Sequence, residues 1–292
     1  MYTAIVLLSD VSRVIDAVSR ISFYWIPLIL SLSLVNYTLR FFKWQYFLKR
    51  VDVHIPRLES MSVFVAGFSM TVSPGKLGEL LKCYLLKERK DIPVSRTSPV
   101  VVAERVTDLI SMILIAIIGL FLVEHKGAMI AIGAGIVFVL SIMIFLLWKS
   151  AFSFLTNLLC RIKPVSRHRD SFERFHENCT ALLDLRSLMI SVPLGILSWG
   201  AEAMVLCLVS MSLGIEPGLS VGLALLAHSA GTIAGAVSMI PGGLGLTEIT
   251  IGAILISAMP EVDAAVTTII MRFATLWFAV LLGAIVLSAT HR

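Results

Sequence analysis

The string Pro-Gly-x-Leu-Gly occurs twice, as Pro74-Gly75-Lys76-Leu77-Gly78 and as Pro241-Gly242-Gly243-Leu244-Gly245. Each copy is followed, 31 positions after its proline, by an arginine set in an apolar run: Arg105 and Arg272. Leu109 and Leu276 match at the same register. Proline removes a backbone donor and glycine admits unusual dihedrals, so each string stops a helix and turns the chain. A breaker and a charge duplicated in register are what a chain built from two related halves would carry.

Composition says what surrounds those turns. The chain is 58% hydrophobic and 15% charged, against about 45–50% and about 25% in a soluble domain. The apolar residues are gathered into runs at Ile21–Leu39, Pro99–Val123, Gly127–Trp148 and Leu188–Leu213, and a fifth, Ala264–Ala289, carries one arginine. Each reaches the roughly 20 residues that a bilayer crossing needs. The net charge of +5 does not indicate nucleic acid, because the basic residues flank the apolar runs and read as topology determinants. Met1–Arg20 has no basic start followed by a long apolar stretch, so no cleavable signal is expected; Val11, Val14, Ile15 and Val18 give it the spacing of an interfacial helix. Cys83, Cys160, Cys179 and Cys207 share no metal-ligand spacing and read as small apolar residues. No nucleophile elbow, zinc motif, P-loop or dinucleotide fingerprint is present, and no cofactor or metal is expected.

Charge counting orders the spans. Arg40, Lys43, Lys49, Arg50 and Arg57 lie between the first run and Leu58; Lys82, Lys87, Arg89, Lys90 and Arg96 lie between the first breaker and the next run. Both segments belong on the cytoplasmic side. They can share it only if Met61–Ser73, too short to span comfortably, enters and leaves on that side as a re-entrant hairpin. Lys149–Arg186, with seven basic residues, is cytoplasmic too; Phe172, Phe175, Cys179, Leu182 and Leu183 give it an amphipathic surface helix. Gly214–Ser220 and Pro260–Asp263 contain no lysine or arginine and fit the outside. The second breaker therefore sits in a hairpin entered from the opposite face. By length alone, Gly222–Ile240 could instead cross fully, with Thr247–Met259 as a short return.

The expected fold is an all-α polytopic membrane protein with an inverted repeat of helix, re-entrant broken hairpin and helix: 21–123, linker helix 127–148, cytoplasmic amphipathic loop 149–186, and 188–289. Two broken hairpins facing each other would frame a polar chamber, with helix starts and free amides aimed into it, suited to an anion such as a phosphate. Arg105 and Arg272 each lie about 12 Å inside their runs. An arginine at that depth costs at least ~2.5–3.5 kcal/mol on insertion scales, so each must be paired or face water. Glu104 and Asp108 stand beside Arg105, whereas Arg272 needs Glu79, Glu248, Glu202 or a substrate phosphate. Structural ion pairs and headgroup recognition are both open readings of these charges. Lys76, Glu79 and Lys82 are either a solvated interfacial cluster or part of the site, and Glu202, alone in its run, is a pairing or proton-relay candidate. His228 lies in a small-residue surface with a Gly231-x-x-x-Gly235 step that reads as helix packing.

At Arg40, Pro74-Gly75-Lys76-Leu77-Gly78-Glu79, Glu104-Arg105 with Asp108, and Pro241-Gly242-Gly243-Leu244-Gly245 with Glu248, the chain resembles the flippase-like family that includes the transmembrane domain of lysylphosphatidylglycerol synthases. The resemblance runs from about Ile21 to the end. It implies movement of lipids or lipid-linked headgroups between leaflets of the cell (inner) membrane. The synthases' soluble aminoacyl-transfer domain is not expected here, so synthase activity is not carried over. Members usually have one more span before the one at Ile21–Leu39; here Met1–Arg20 stands in that place. The expected activity is translocation of a phospholipid or polyprenyl-linked headgroup. Its phosphate would be held among Pro74, Gly75, Lys76, Gly78, Glu79, Glu104, Arg105, Asp108, Glu202, Pro241, Gly242, Gly243, Gly245, Glu248 and Arg272. The alternatives are a membrane partner recruiting a cell-envelope glycosyltransferase through Lys149–Arg186, and an ion-coupled transporter of a small anion.

Overall fold

The computed structural model describes residues 24–123, 128–161, 167, 169–216 and 218–290, without the side chains of Gly75, Lys76 and Thr290. The helix expected in Met1–Arg20 lies outside these residues. Among the described residues every regular element is helical. Five helices are long and apolar enough to cross a membrane: Trp25–Arg50, Val94–Leu122, Ala128–Leu147, Leu185–Ser212 and Glu261–Ala289. They fall on the five apolar runs of the sequence.

The first of these, α1 (Trp25–Arg50), continues well past Leu39 and is the main departure from expectation. Arg40 and Lys43 are buried within it rather than placed in a loop. The sequence puts Ser33, Asn36, Tyr37, Arg40, Lys43 and Trp44 on one stripe, and all six are buried against the bundle. The basic residues that remain near the turn after α1 are Lys49 and Arg50 in the last turn of α1 and Arg57 at the start of the next helix.

The first hairpin consists of α2 (Arg57–Ala66) with a 3-10 extension Gly67–Met70, then a bend, the 3-10 segment Pro74–Leu80 and α3 (Leu81–Lys90). Its two ends lie together, since Lys90 pairs with Glu59 at 2.9 Å and Arg89 donates to Ser62 Oγ at 3.3 Å. After α4 (Val94–Leu122) and α5 (Ala128–Leu147), the segment read as one surface helix is a pair, α6 (Lys149–Leu159) and α7 (Arg169–Leu182). Phe152 of α6 stacks on His176 of α7 with ring centroids 4.6 Å apart, and α7 buries Cys179 and Leu182 against α4.

The second hairpin follows α8 (Leu185–Ser212). It comprises α9 (Val221–Val237), the turn Pro241–Gly243 and α10 (Leu246–Leu255). These helices run antiparallel at close range. A Cβ on Gly235 would stand 2.2 Å from Thr247 Oγ1, and one on Gly231 would stand 2.5 Å from Ile251 Cγ1. The Gly231–Gly235 step is thus the seam on which α10 lies. The last span is α11 (Glu261–Arg272), a π-helical turn Phe273–Trp277 and α12 (Phe278–Thr290). Ser33 Oγ and Tyr37 Oη of α1 donate to the carbonyls of Ala274 and Thr275 within that turn, at 2.8 and 2.6 Å.

Contacts between the parts are reciprocal. The two leading helices, α1 and α8, pack on each other, as do the two breakers. Helix α4 packs on α9 of the second hairpin, while α12 packs on the first hairpin. Both of these contacts bring a glycine onto backbone: a Cβ at Gly119 would lie 2.7 Å from Leu226 N, and one at Gly283 would lie 2.3 Å from Ser69 N.

Candidate functional site

The breakers end where their sequence requires it. Pro74 and Pro241 each open a short 3-10 turn preceded by an extended residue, Ser73 or Ile240. In the second breaker Gly242, Gly243 and Gly245 all have positive φ, which a side chain would strain. The turns are tied internally. Gly78 N–H donates to Ser73 Oγ at 2.6 Å, Gly245 N–H to Glu248 Oε2 at 2.6 Å, and Gly243 N–H to Ile240 O at 2.9 Å. The expectation of free amides aimed at an anion is therefore not met at these three positions.

Charged side chains form a buried knot at the first breaker. Glu79, 1% exposed, is approached by Arg105 at 3.2 Å, Lys82 at 3.6 Å and Arg40 at 3.9 Å. Lys82 also pairs with Glu104 at 2.7 Å, and its ammonium lies 4.6 Å from the Trp44 ring centroid. Asp108 is held by Lys43 and by Arg105, the latter at 3.0 Å. Glu104 and Asp108, a turn apart on α4, thus serve different cations. Arg40 is set between Phe68 and Trp199, with its guanidinium carbon 5.4 and 5.1 Å from their ring centroids. Buried charges of this kind persist only when each has partners close enough to offset lost hydration.

Within this knot four cations (Arg40, Lys43, Lys82, Arg105) face three carboxylates (Glu79, Glu104, Asp108). Arg40, Lys43 and Lys82 already match the carboxylates in number. Arg105, between Glu79 and Asp108, has the most exposed side chain of the four cations at 22%, and Glu202 lines the same cavity. Arg272, at the same distance from the second breaker, is wired differently. Its Nε meets Glu248 Oε1 at 2.5 Å and its terminal nitrogen donates to Gly242 O at 2.8 Å. Of the partners the sequence left open for it, Glu248 is the one in contact.

A cavity of about 320 Å³ joins these groups. Its polar face carries Tyr37, Arg40, Arg105, Asp108, Glu202 and Arg272, with Gly242 and Gly243 of the second breaker. Four threonines, Thr71, Thr232, Thr247 and Thr275, also line it, and an apolar wall is formed by Val101, Val106, Leu109 and Met112 on α4, Phe138, Val139 and Ile142 on α5, and Leu276 and Ala279 on the last span. Leu77, Leu80, Met239 and Ile240, all well exposed, stand at its mouth. Six of the sequence-derived site residues line it: Arg105, Asp108, Glu202, Gly242, Gly243 and Arg272. Pro74, Gly78, Glu79, Glu104, Pro241, Gly245 and Glu248 do not; Glu79, Glu104 and Glu248 stand behind the cavity as partners of its cations. The side chain of Lys76 lies outside the described residues. Arg40, Tyr37 and Trp199 are cavity residues that the site reading left out. The stripe Tyr37, Arg40, Trp44 at helical spacing was the signal for the first two.

Among the described residues no cluster of histidine, cysteine and carboxylate side chains could hold a metal. A family description, the transmembrane region of lysylphosphatidylglycerol synthase, matches residues 2–283. A UPF0104 membrane protein of Pyrococcus horikoshii is 23% identical over 304 aligned positions, covering 95% of this chain and 90% of that one. A second UPF0104 membrane protein, from Methanocaldococcus jannaschii, is 25% identical over 232 positions, covering 77% of this chain and 95% of its own. With the match running through both breakers and both arginines, the chain belongs to the lysylphosphatidylglycerol synthase transmembrane-region family, as an all-α polytopic membrane protein.

Proposed function

We propose that this protein is a translocase for a phospholipid or polyprenyl-linked headgroup, residing in the cell (inner) membrane and acting as a transporter rather than an enzyme. The observation that carries this reading is the split character of the cavity. One face gathers Arg40, Arg105 and Arg272 where the breakers meet, and the other is largely apolar, with Leu77, Leu80, Met239 and Ile240 exposed beside it. A soluble anion has no use for such a wall; an amphiphile has use for both faces. The phosphate is received at Arg105, the most exposed cation of the knot, whose carboxylates each keep another cation and whose planar fork can bind two phosphate oxygens.

In this reading the two halves are an inverted repeat. Support comes from the reciprocal helix contacts, from a first hairpin whose ends lie together, and from the basic residues left at those ends. Single cysteines replacing Ser62 and Arg96 should label from the cytoplasm only, and those replacing Ser220 and Glu261 from outside only. Opposite-face labelling at positions 62 and 96 defeats the inverted repeat.

Transport is tested with the purified chain in vesicles, following headgroup accessibility across a panel of labelled lipids, with inorganic phosphate uptake as a parallel arm. Arg105→Ala should abolish lipid translocation while the protein stays folded, and Arg105→Lys should rescue poorly because it loses the bidentate fork. Phosphate uptake without lipid movement would identify a soluble-anion transporter instead. Normal translocation by a folded Arg105→Ala protein would remove the arginine from the site.

A further inference from the structure

A second cavity, about 630 Å³ in volume, shares no lining residue with the first. It lies between the α6–α7 pair and the junction of α3 with α4. Its floor is apolar and aromatic, from Phe145 at the end of the α5 span to Phe152, Leu155, Phe172 and Phe175. Phe152 is fixed there by stacking on Phe175, with ring centroids 6.2 Å apart, and on His176. The polar groups at its rim are Lys87, Ser95 and Ser98, while Thr156, buried, and Ser171 come from α6 and α7. The volume falls within the ~300–1,000 Å³ typical of small-molecule sites.

The surrounding charge is lopsided. Segment 87–96 holds four basic residues against two acidic, and segment 149–186 holds seven against four. Together they account for the chain's whole net charge of +5, so the rest of the protein is formally neutral. In the sequence, the excess positive charge therefore falls on the two segments from which most of the groove's lining is drawn. An apolar floor starting at a membrane span, with Lys87 at its edge, matches one acyl chain and one anionic headgroup, whose phosphate would share the Lys87 ammonium with Asp91.

We propose that this groove binds an anionic phospholipid of the surrounding leaflet, as a bound lipid separate from any cargo in the central cavity. The acyl chain lies along Phe145, Phe152 and Phe175, and the phosphate sits at Lys87. The position gives the site leverage. Its rim belongs to α3 and the first turns of α4, the two helices that carry Lys82, Glu104 and Arg105. Occupancy ties the α6–α7 pair to the first breaker.

The experiment uses the full chain in vesicles doped with phosphatidylglycerol bearing a photoreactive group on one acyl chain, or with phosphatidylcholine bearing the same chain. Irradiation should label peptides containing Phe145–Leu159 and Phe172–Phe175. The phosphatidylglycerol probe should be favoured by about fivefold for each basic residue engaged at the surface. Ser98→Trp fills the groove and should remove this label while leaving the melting temperature and any label in the central cavity unchanged; Ser171→Trp does the same from the opposite wall if Ser98→Trp fails to fold. Lys87→Gln should lower the preference for phosphatidylglycerol and keep acyl labelling. Equal labelling by the two probes, or label confined to the central cavity, overturns the proposal. So does a polypeptide recovered on α6–α7 in one-to-one amount, with the groove peptides unlabelled.

Discussion

Arg105 and Arg272 stand at identical distances from identical breakers, and the bundle uses them differently. Each meets a glutamate that follows its own breaker, Glu79 in the first half and Glu248 in the second. Arg105 does so inside a network where Glu79 and Asp108 keep other cations when it is taken away. Arg272 has one carboxylate and one breaker carbonyl, Gly242 O, and it fixes a turn that contains three glycines with positive φ. A repeat therefore conserves placement more than wiring. The redundant partners in the first half leave Glu79 and Asp108 paired even without Arg105. The sparse partners in the second half commit an arginine to holding the backbone.

The largest expected effect follows from that difference. Arg272→Ala leaves Glu248 with only the Gly245 N–H and the second breaker without its carbonyl tie. It removes two charge-assisted contacts from a partly buried pair, each worth about 1.5–3 kcal/mol. Arg105→Ala leaves Glu79 with Lys82 and Arg40, and Asp108 with Lys43, so its cost should be well under half of that. Thermal unfolding of the detergent-extracted proteins, measured side by side, decides it. Equal losses would mean that the two halves are energetically equivalent and that Arg105 is structural as well. Lys82→Met is the internal control, because it breaks the pair with Glu104 within the first half and should resemble Arg272→Ala.

A smaller effect tests whether the halves are alike in packing. Gly119 on α4 and Gly283 on the last span each lie against backbone of the opposite hairpin. Neither contact can yield by rotating a side chain, so Gly119→Ala and Gly283→Ala should each destabilise by about 1–3 kcal/mol through overpacking. Comparable shifts in melting temperature would support equivalent roles in a two-fold arrangement. A loss at only one glycine would limit the resemblance between halves to their breakers.

Much of this architecture was legible in the sequence, because hydropathy and breakers are local properties. The five spans, the two turns and the Arg105–Asp108 pair at i,i+3 follow from spacing along one chain. Lys43 and Lys82 were not legible as buried residues. Hydropathy ends a span at its first charges, and the positive-inside rule then assigns those charges to a loop. Asp108, 65 positions from Lys43, and Glu104, 22 positions from Lys82, keep these lysines inside. Arg40 was legible as a motif residue but not as a cation between Phe68 and Trp199, a contact that draws on both halves. The α6–α7 pair was half seen, since the aromatic face of α7 shows in the sequence while its partner Phe152 lies on a separate helix, α6. Partners brought together by tertiary packing leave no spacing to read.

The smallest effect concerns helix starts. The second half caps two of its helices with side chains: Asp184 accepts from Ser187 N–H at 2.8 Å, and Ser220 accepts from Leu223 N–H at 3.2 Å. The corresponding helices of the first half, α1 and α2, begin at Tyr24 and Pro56 without a side-chain cap. Asp184 lies outside the membrane span and also pairs with Arg50 at 2.6 Å, which joins α8 to the end of α1. Hydrogen bonding from Ser187, with the Arg50 charge behind it, holds the Asp184 carboxyl below the usual carboxylate range. A carboxylate depressed in the folded state stabilises it above the unfolded value of about 3.9 and loses that contribution as pH falls through the folded value. Asp184→Ala should therefore cost about 0.5–2 kcal/mol at neutral pH, as a lost cap does. The gap to the parent protein should close as the solution is acidified below that range. Asp184→Asn keeps the cap without the charge, so it should remain near the parent at neutral pH and show no acid-dependent loss from this site. If Asp184→Asn is as unstable as Asp184→Ala, the charge pair with Arg50 rather than the cap sets the start of α8, and the contrast between halves becomes one of ion pairing.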